Sequence, residues 1–426
     1  MSERPLRVLS VCTSDYSGGA ARAAYRIHLA VRELGVDSRM FVKHKGTDDQ
    51  TVLTVDDFIP HNALYRAFDW IRNKFKNKWQ HYQWGKYPDR QKFFLSDLRS
   101  TDIGHALQKI DYDILHLHWV NLRFLPLEQL PKDKPIVWTL HDSWPFCGVC
   151  HSFIDCTRYQ DECGCCPRLS STDKKDLSHK VWKKKQKLYK GLDIHIVTPS
   201  RWLGECVRKS SLLGSFPVSV IPNIIDTDLF RPLEKDEISP RWQCFKESSP
   251  KKHYLVFGAM NATQDRIKGF SYLLSALSKL KDAQRSDIEL IVFGSDKPLD
   301  GLSDIVPTHY VGVIGSSHDL VSLYNIASVV VVPSLSEVFG LVAAEAMSCG
   351  TPVVAFRCTG IQEVVAPQSG YLADPYDAED FARGIDWCLE HNTDGELSHN
   401  ARKSILSRYT PEAVGRQYLA EYSELE

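Results

Sequence analysis

Residues 329–356 constrain this 426-residue chain more than any other stretch. Four consecutive valines run into Pro333, and a loop then carries Glu337 and Gly340. A short helix opens near Gly340, and Gly350 ends it before a second apolar run that reaches Phe356. Apolar runs of strand length bounded by turn residues read as strands buried on both faces, and two of them joined through a helix make a βαβ unit. The loop of such a unit meets the free N–H groups and the positive dipole end of the helix, which suits an anionic phosphate. Glu337 lies in the loop and Glu345 in the helix, so both can face one crevice and accept hydrogen bonds from sugar hydroxyls. An ordinary βαβ unit with two solvated acids has the same local pattern.

The same rhythm runs through the whole chain. Strand-like segments at 6–13, 113–119, 135–140 and 195–200 alternate with helical patterns in the first half, and a helix opening at 17–22 reaches Gly35. In the second half the strands fall at 254–258, 288–294, 310–312, 328–333 and 352–356. Two doubly wound, parallel-sheet α/β domains facing a cleft follow from this alternation. A charged, proline-bearing segment covers 231–252. With 43% apolar and 25% charged residues, the composition is that of a soluble globular protein. A net charge of −1 argues against a nucleic-acid binder. No apolar run approaches the ~18 residues of a membrane span. The N-terminal residues lead into the first strand without a signal-peptide pattern, so a cytoplasmic location is expected.

The glutamate pair, continued by Ala346-Met347-Ser348-Cys349-Gly350-Thr351-Pro352-Val353-Val354-Ala355 with Gly360 and Glu363 downstream, resembles the signature of retaining glycosyltransferases of family four. These are GT-B enzymes with two Rossmann-like domains that use nucleotide sugars. The resemblance implies an acceptor-binding domain at 1–215, joined by a returning C-terminal helix at about 411–426, and a nucleotide-sugar-binding domain at 216–410. It also implies that Glu337 contacts the donor sugar and Glu345 the ribose. Phe339, Gly340 and Leu341 would supply backbone amides to the pyrophosphate, and Gly312 would lie by the base, with Ser295 a weaker candidate.

Phe257-Gly258-Ala259-Met260-Asn261 followed by Asp265-Arg266-Ile267-Lys268-Gly269 resembles the family's phosphate-binding strand and loop. A departing diphosphate needs a cation where its charge develops, which suits Lys268; a surface lysine at a helix start is the plainer reading. Relatives carry an arginine where this chain has Ala259, and Arg266 could supply the missing charge. In the first half, Gly18-Gly19 permits close backbone approach at a helix start. The third glycine of a dinucleotide fingerprint is absent, which disfavours a Rossmann dehydrogenase. The resemblance puts this pair beside the phosphates or the acceptor. His141-Asp142 follows a strand at the edge where open α/β sheets bind ligands, and relatives often have a histidine there that contacts the donor sugar. His116 and His118 read as packing or wall residues. Asp111-Tyr112-Asp113 precedes a strand, the wrong context for an acidic metal motif.

Six of the twelve cysteines fall between 147 and 166. The segment resembles the exopolysaccharide, colanic-acid-type branch of family four, whose four cysteines match Cys150, Cys156, Cys163 and Cys166. Structural zinc is one reading; an unmetallated loop or a labile disulfide pair is the other. Two basic aromatic stretches, one with Phe68, Ile71, Phe75, Trp79 and Tyr82 and one at 180–190, fit either an anionic membrane surface or a helix packed inward with lysines in water. The expected activity is transfer of a hexose from a UDP- or GDP-sugar to a glycan or lipid-linked acceptor in polysaccharide assembly, with retention, no required cofactor and no dedicated nucleophile. Its setting is the cytoplasm, with contact at the inner membrane face left open. A non-catalytic nucleotide-sugar-binding scaffold and a GT-B epimerase are the alternatives.

Overall fold

A computed structural model describes residues 4–58, 82–91, 103–248, 252–258, 265–280, 286–295 and 302–425. The chain forms two compact units, Met1–Ile221 with Gly415–Glu426, and Pro222–Val414. Each is built on one parallel sheet, giving two Rossmann-like domains.

The first sheet has seven strands: β1 (Arg7–Ser14), β2 (Asp37–His44), β3 (Val52–Thr54), β4 (Ile114–Leu117), β5 (Ile136–Thr139), β6 (Ile194–Thr198) and β7 (Val218–Val220). Their order is β3-β2-β1-β4-β5-β6-β7, with every pair parallel. Because β7 pairs with β6, the unit continues to Ile221 rather than 215. The order reverses direction between β1 and β4. Loops leaving the carboxyl ends of those strands splay apart there, and that crevice is where open α/β sheets bind ligands.

The second sheet has β8 (His253–Gly258), β9 (Ile288–Phe293), β10 (Thr308–Tyr310), β11 (Val329–Val332), β12 (Val353–Phe356) and β13 (Gly370–Ala373), in the order β10-β9-β8-β11-β12-β13. Its reversal lies between β8 and β11. Every residue of β11 and β12 is buried, as their Val-rich composition predicts for central parallel strands. The strand expected at 310–312 ends earlier, at Tyr310, because Gly312 takes a left-handed φ of 69° that breaks the extended backbone. The charged, proline-bearing segment holds the helix Pro240–Ser248, which buries Trp242.

The C-terminal helix Pro411–Ser423 belongs chiefly to the first unit. Tyr422 Oη and His116 Nδ1 lie 2.7 Å apart, and Tyr418 Oη is 3.1 Å from Thr139 Oγ1. His116 Nε2 meets the same Thr139 hydroxyl at 2.8 Å. All four residues are fully buried, so each polar atom must find its partner inside the protein. Among the described residues, no helix is long and apolar enough to cross a membrane.

Candidate functional site

In the second unit the groups that carry chemistry collect at the β8/β11 reversal. After β8, Asp265 Oδ1 accepts the Ile267 N–H at 3.0 Å and opens a tight turn, Arg266–Lys268. Leu335 N donates to Ile267 O at 2.7 Å, which pins that turn on the loop leaving β11. Gly269 closes the turn at φ 68°, and a Cβ there would lie 1.8 Å from Pro333 O. No side chain fits in that gap, so glycine is what lets the two loops touch. Gly269→Ala is expected to cost about 2 kcal/mol or more through strain and displaced backbone. Urea denaturation would show it as a lower midpoint, and an unchanged midpoint would refute the close approach.

The contact brings Lys268 and Glu337 together. Lys268 Nζ donates to Glu337 Oε1 at 2.6 Å, and Ser334 Oγ donates to the same oxygen at 3.0 Å. Glu337 Oε2 has no protein partner among the described residues, and the side chain keeps 20% of its exposure. Burial disfavours the Lys268 ammonium, but the Glu337 carboxylate, helped by Asp265, outweighs it and holds the lysine pKa above its ordinary value. The lysine therefore keeps its charge at neutral pH, and Glu337 Oε2 is left open as an acceptor. Arg266 is exposed at the start of the turn, and Ala259 lies outside the described residues.

Beyond Glu337, the chain turns at Gly340 (φ 104°, ψ 60°) into the helix Leu341–Ser348. A Cβ on Gly340 would press on Ile361 at 3.0 Å. The Phe339 side chain is buried with its ring against Tyr409 at 5.2 Å. Its role, like that of Gly340 and Leu341, would rest on the backbone amides at the helix start. Glu345 is fully buried within this helix. Gly312 follows the edge strand β10, and Gly294 N donates to its carbonyl at 2.8 Å. Val313, next to it, is 79% exposed.

In the first unit, Gly18 caps the helix Gly19–Glu33 with φ 91°, immediately after β1, and Gly19 is the first helical residue. His141 follows β5. Its Nε2 lies 3.1 Å from Nδ1 of buried His118, whose own Nε2 is buried without a hydrogen-bond partner among the described residues. An orphaned buried N–H costs more than an under-used acceptor. The cheaper tautomers therefore have His118 Nδ1–H donating to His141 Nε2, which leaves the proton of neutral His141 on Nδ1. Burial pushes His141 down to about 4, so it is a neutral donor at physiological pH. Asp142 accepts from Trp119 Nε1 at 2.7 Å and from Trp144 N at 2.9 Å, and burial raises its carboxyl to about 6.

The loop after His141 rests on a residue that sequence reading passed over. Lys185, 1% exposed, donates to the carbonyls of Trp144 (2.5 Å), Cys147 (2.8 Å) and Gly148 (3.1 Å). Its ammonium also sits 3.6 Å above the Trp144 ring. Within a run of lysines nothing in the sequence marks this one; helical periodicity with buried Val181 and Trp182 is the only signal.

All twelve cysteines are free thiols. Cys150 and Cys166 are close enough to hydrogen-bond, and Cys163 Sγ accepts the Gly148 N–H at 3.2 Å. Among the described residues, no three His, Cys, Asp or Glu side chains are grouped to hold a metal ion. The set Cys150, Cys156, Cys163 and Cys166 is therefore not gathered as zinc ligands would be among the described residues.

Two parallel sheets, each with its polar groups at a strand-order reversal or at neighbouring carboxyl ends, define a two-domain Rossmann-like architecture shared with solved glycosyltransferases. The structure of HepE from Anabaena in complex with UDP-glucose matches 99% of this chain and 100% of its own, with TM-score 0.62 and 17% identity. The profile described as Glycosyltransferase Family 4 matches residues 17–229, and the one described as Glycosyl transferases group 1 matches residues 241–405. The chain belongs to glycosyltransferase family 4. Among curated relatives, the MMP alpha-(1->4)-mannosyltransferase of Mycolicibacterium hassiacum is 28% identical over 50% of this chain and 51% of its own length. The lipopolysaccharide 1,2-N-acetylglucosaminetransferase of Salmonella typhimurium is 27% identical over 53% of this chain and 61% of its own. The matches span between about a quarter and just under two thirds of the length of such curated relatives.

Proposed function

We propose that the chain is a retaining glycosyltransferase that moves a hexose from a UDP- or GDP-sugar to a glycan or lipid-linked acceptor in polysaccharide assembly, without a metal in the chemical step. The Lys268–Glu337 pair at the β8/β11 reversal carries this reading. Lys268 supplies the positive charge that a departing nucleoside diphosphate requires, and the helix start at Leu341 adds N–H donors and dipole. Glu337 is held by Lys268 and Ser334 through Oε1, so Oε2 is left for a sugar hydroxyl. In the first unit, His141 offers an N–H and Gly18-Gly19 an uncrowded helix start for donor or acceptor. Glu345 would reach a ribose only if its buried carboxylate became accessible. Retention fits front-face attack, in which the leaving phosphate oxygen takes the acceptor proton, and no protein nucleophile is assigned.

Turnover of a panel of UDP- and GDP-sugars, with the anomeric configuration of the product read by proton NMR, tests this. A product of inverted configuration would remove the retaining mechanism. Nucleotide binding without turnover of any donor would return the scaffold reading.

Contact with an anionic membrane belongs to the same proposal. In the helix Leu177–Leu188 the apolar stripe is buried, while Lys180, Lys183 and Lys187 are exposed, with Lys190 following. None of the four forms an ion pair among the described residues. The stripe that could insert is committed to the core, so attraction would be electrostatic, at about 1 kcal/mol per lysine. Changing Lys180, Lys183 and Lys187 to glutamine is expected to weaken binding to phosphatidylserine vesicles by about 100-fold. Equal sedimentation of the native and triple-variant proteins with those vesicles would dismiss the membrane contact. Of the other basic stretch, Phe68, Ile71, Phe75 and Trp79 lie outside the described residues.

A further inference from the structure

The loop leaving β12 contains a residue in a backbone conformation that side chains avoid. Thr359 has φ 49° and ψ −149°. In this region Cβ crowds the following peptide, so it is populated almost entirely by glycine. A β-branched residue is the least suited to it. Such a conformation persists only where its surroundings over-determine it, and here the surroundings are the Glu337 loop. Thr359 Oγ1 accepts the Glu337 N–H at 2.9 Å, and Gly360 N donates to Glu337 O at 2.8 Å. Just before them, the Cys358 thiol lies 3.6 Å from Ser334 O and 3.7 Å from Leu335 O. The turn at Thr359 thus grips both polar groups of the Glu337 backbone. The other end of that residue, its Oε1, is held by Lys268 and Ser334.

We infer that Thr359 is a positioning residue, whose hydroxyl and strained turn together set the Glu337 carboxylate against Lys268. The hydroxyl acts on the Glu337 N–H, the carbonyl side is fixed by Gly360 N, and the side chain can then meet Lys268 without searching for it. This rests on the reading that Glu337 contacts the donor. An extended Thr359 would point its Oγ1 and the Gly360 N–H elsewhere, and the Glu337 peptide would lose both partners at once.

Three variants in the full chain separate the two contributions. Thr359→Ser keeps the hydroxyl, Thr359→Ala removes it but keeps Cβ, and Thr359→Gly removes both. Release of UDP or GDP from UDP-glucose and GDP-mannose is the activity readout, and thermal melting is the donor-independent one. Serine is expected to preserve kcat. Alanine should lower kcat by about 10- to 100-fold through misplacement of Glu337, with the donor KM little changed. Glycine should lower kcat at least as far, yet melt about 2–4 °C above the alanine variant because the backbone strain is gone. Native kcat in the alanine variant, loss of kcat in the serine variant, or equal melting of alanine and glycine would each overturn the inference. Glu337→Ala serves as the reference. If it abolishes turnover while Thr359→Ala does not, only the positioning role fails; if it leaves turnover intact, the Glu337 reading itself fails.

Discussion

Lys268→Ala is expected to lower nucleotide-sugar turnover by about 100- to 1,000-fold, the usual consequence of removing one preorganised group from the developing charge of a transition state. The lysine is suited to this because its charge is secured in advance. Burial alone would favour the neutral amine, but the Glu337 carboxylate at 2.6 Å keeps the ammonium. Glu337→Ala should be damaging for two reasons: it removes the free oxygen that would meet the sugar, and it leaves Lys268 without its counter-charge. The two substitutions share one contact, so their effects should not add, and the double variant should fall little below the worse single one. Steady-state kinetics of the four proteins checks this. Native rates in both single variants would dismiss the site, and strict additivity would dismiss the coupling.

The second large effect is acid destabilisation of the first unit. His28 is fully buried, with its ring nitrogens 2.7 Å from Ser38 Oγ and 2.9 Å from Thr51 Oγ1, and burial pushes it down to about 4 even though Asp49 is near. His116, held between Thr139 and Tyr422, is pushed down to about 3 by burial and then by His141. Unfolded histidines titrate near 6.5. As pH falls below that value, the unfolded chain takes up protons that the folded chain refuses, so stability is complete above about 6.5 and is lost progressively toward 4. At about 1.4 kcal/mol per pKa unit, the full loss on acidification is on the order of 3 kcal/mol for His28 and 5 kcal/mol for His116. His118 and His141 act in the same direction. Asp142 opposes them: its raised carboxyl, at about 6, binds a proton in the folded state that the unfolded chain has already lost. One carboxyl against four imidazoles leaves the net sign unchanged. Thermal melts at pH 7.5 and 5 should differ clearly, and His28→Asn should flatten the dependence. A melting temperature independent of pH over this range would contradict the buried neutral histidines.

These effects arise from residues that sequence reading ranked unevenly. Lys268 and Glu337 each stand out in the sequence by motif, and the structure places them in contact. His116 and His118 read only as packing or wall residues, because alternation along a strand gives a side chain's face but not its partners. His116 meets Thr139 on β5 and Tyr422 of the C-terminal helix, 306 residues later in the chain, while His118 meets His141 in the loop after β5. Strands β2 and β13 likewise carry little signal in the sequence. β2 carries Asp37, Ser38, Arg39 and Lys43 among its apolar positions, and β13 has only four residues, Gly370–Ala373. Neither has the uninterrupted apolar run that announces a central parallel strand.

What the sequence determined by itself is the βαβ alternation and the position of the Glu337 loop, since short-range apolar period and turn residues encode them directly; the family shows in the motif that joins Glu337 to Glu345. Tertiary structure decided three further things. Lys185 became a buried clamp while neighbouring lysines stayed exposed, because only its place on the helix faces the carbonyls of the loop after His141. Glu345 became fully buried although its spacing from Glu337 suggested a shared crevice, because helix Leu341–Ser348 packs the face that carries it. Thr359 took a glycine-like turn, in which its Oγ1 and the following Gly360 N–H both bond the peptide groups of Glu337. In each case the deciding partners are distant in sequence, and local pattern contains no record of them.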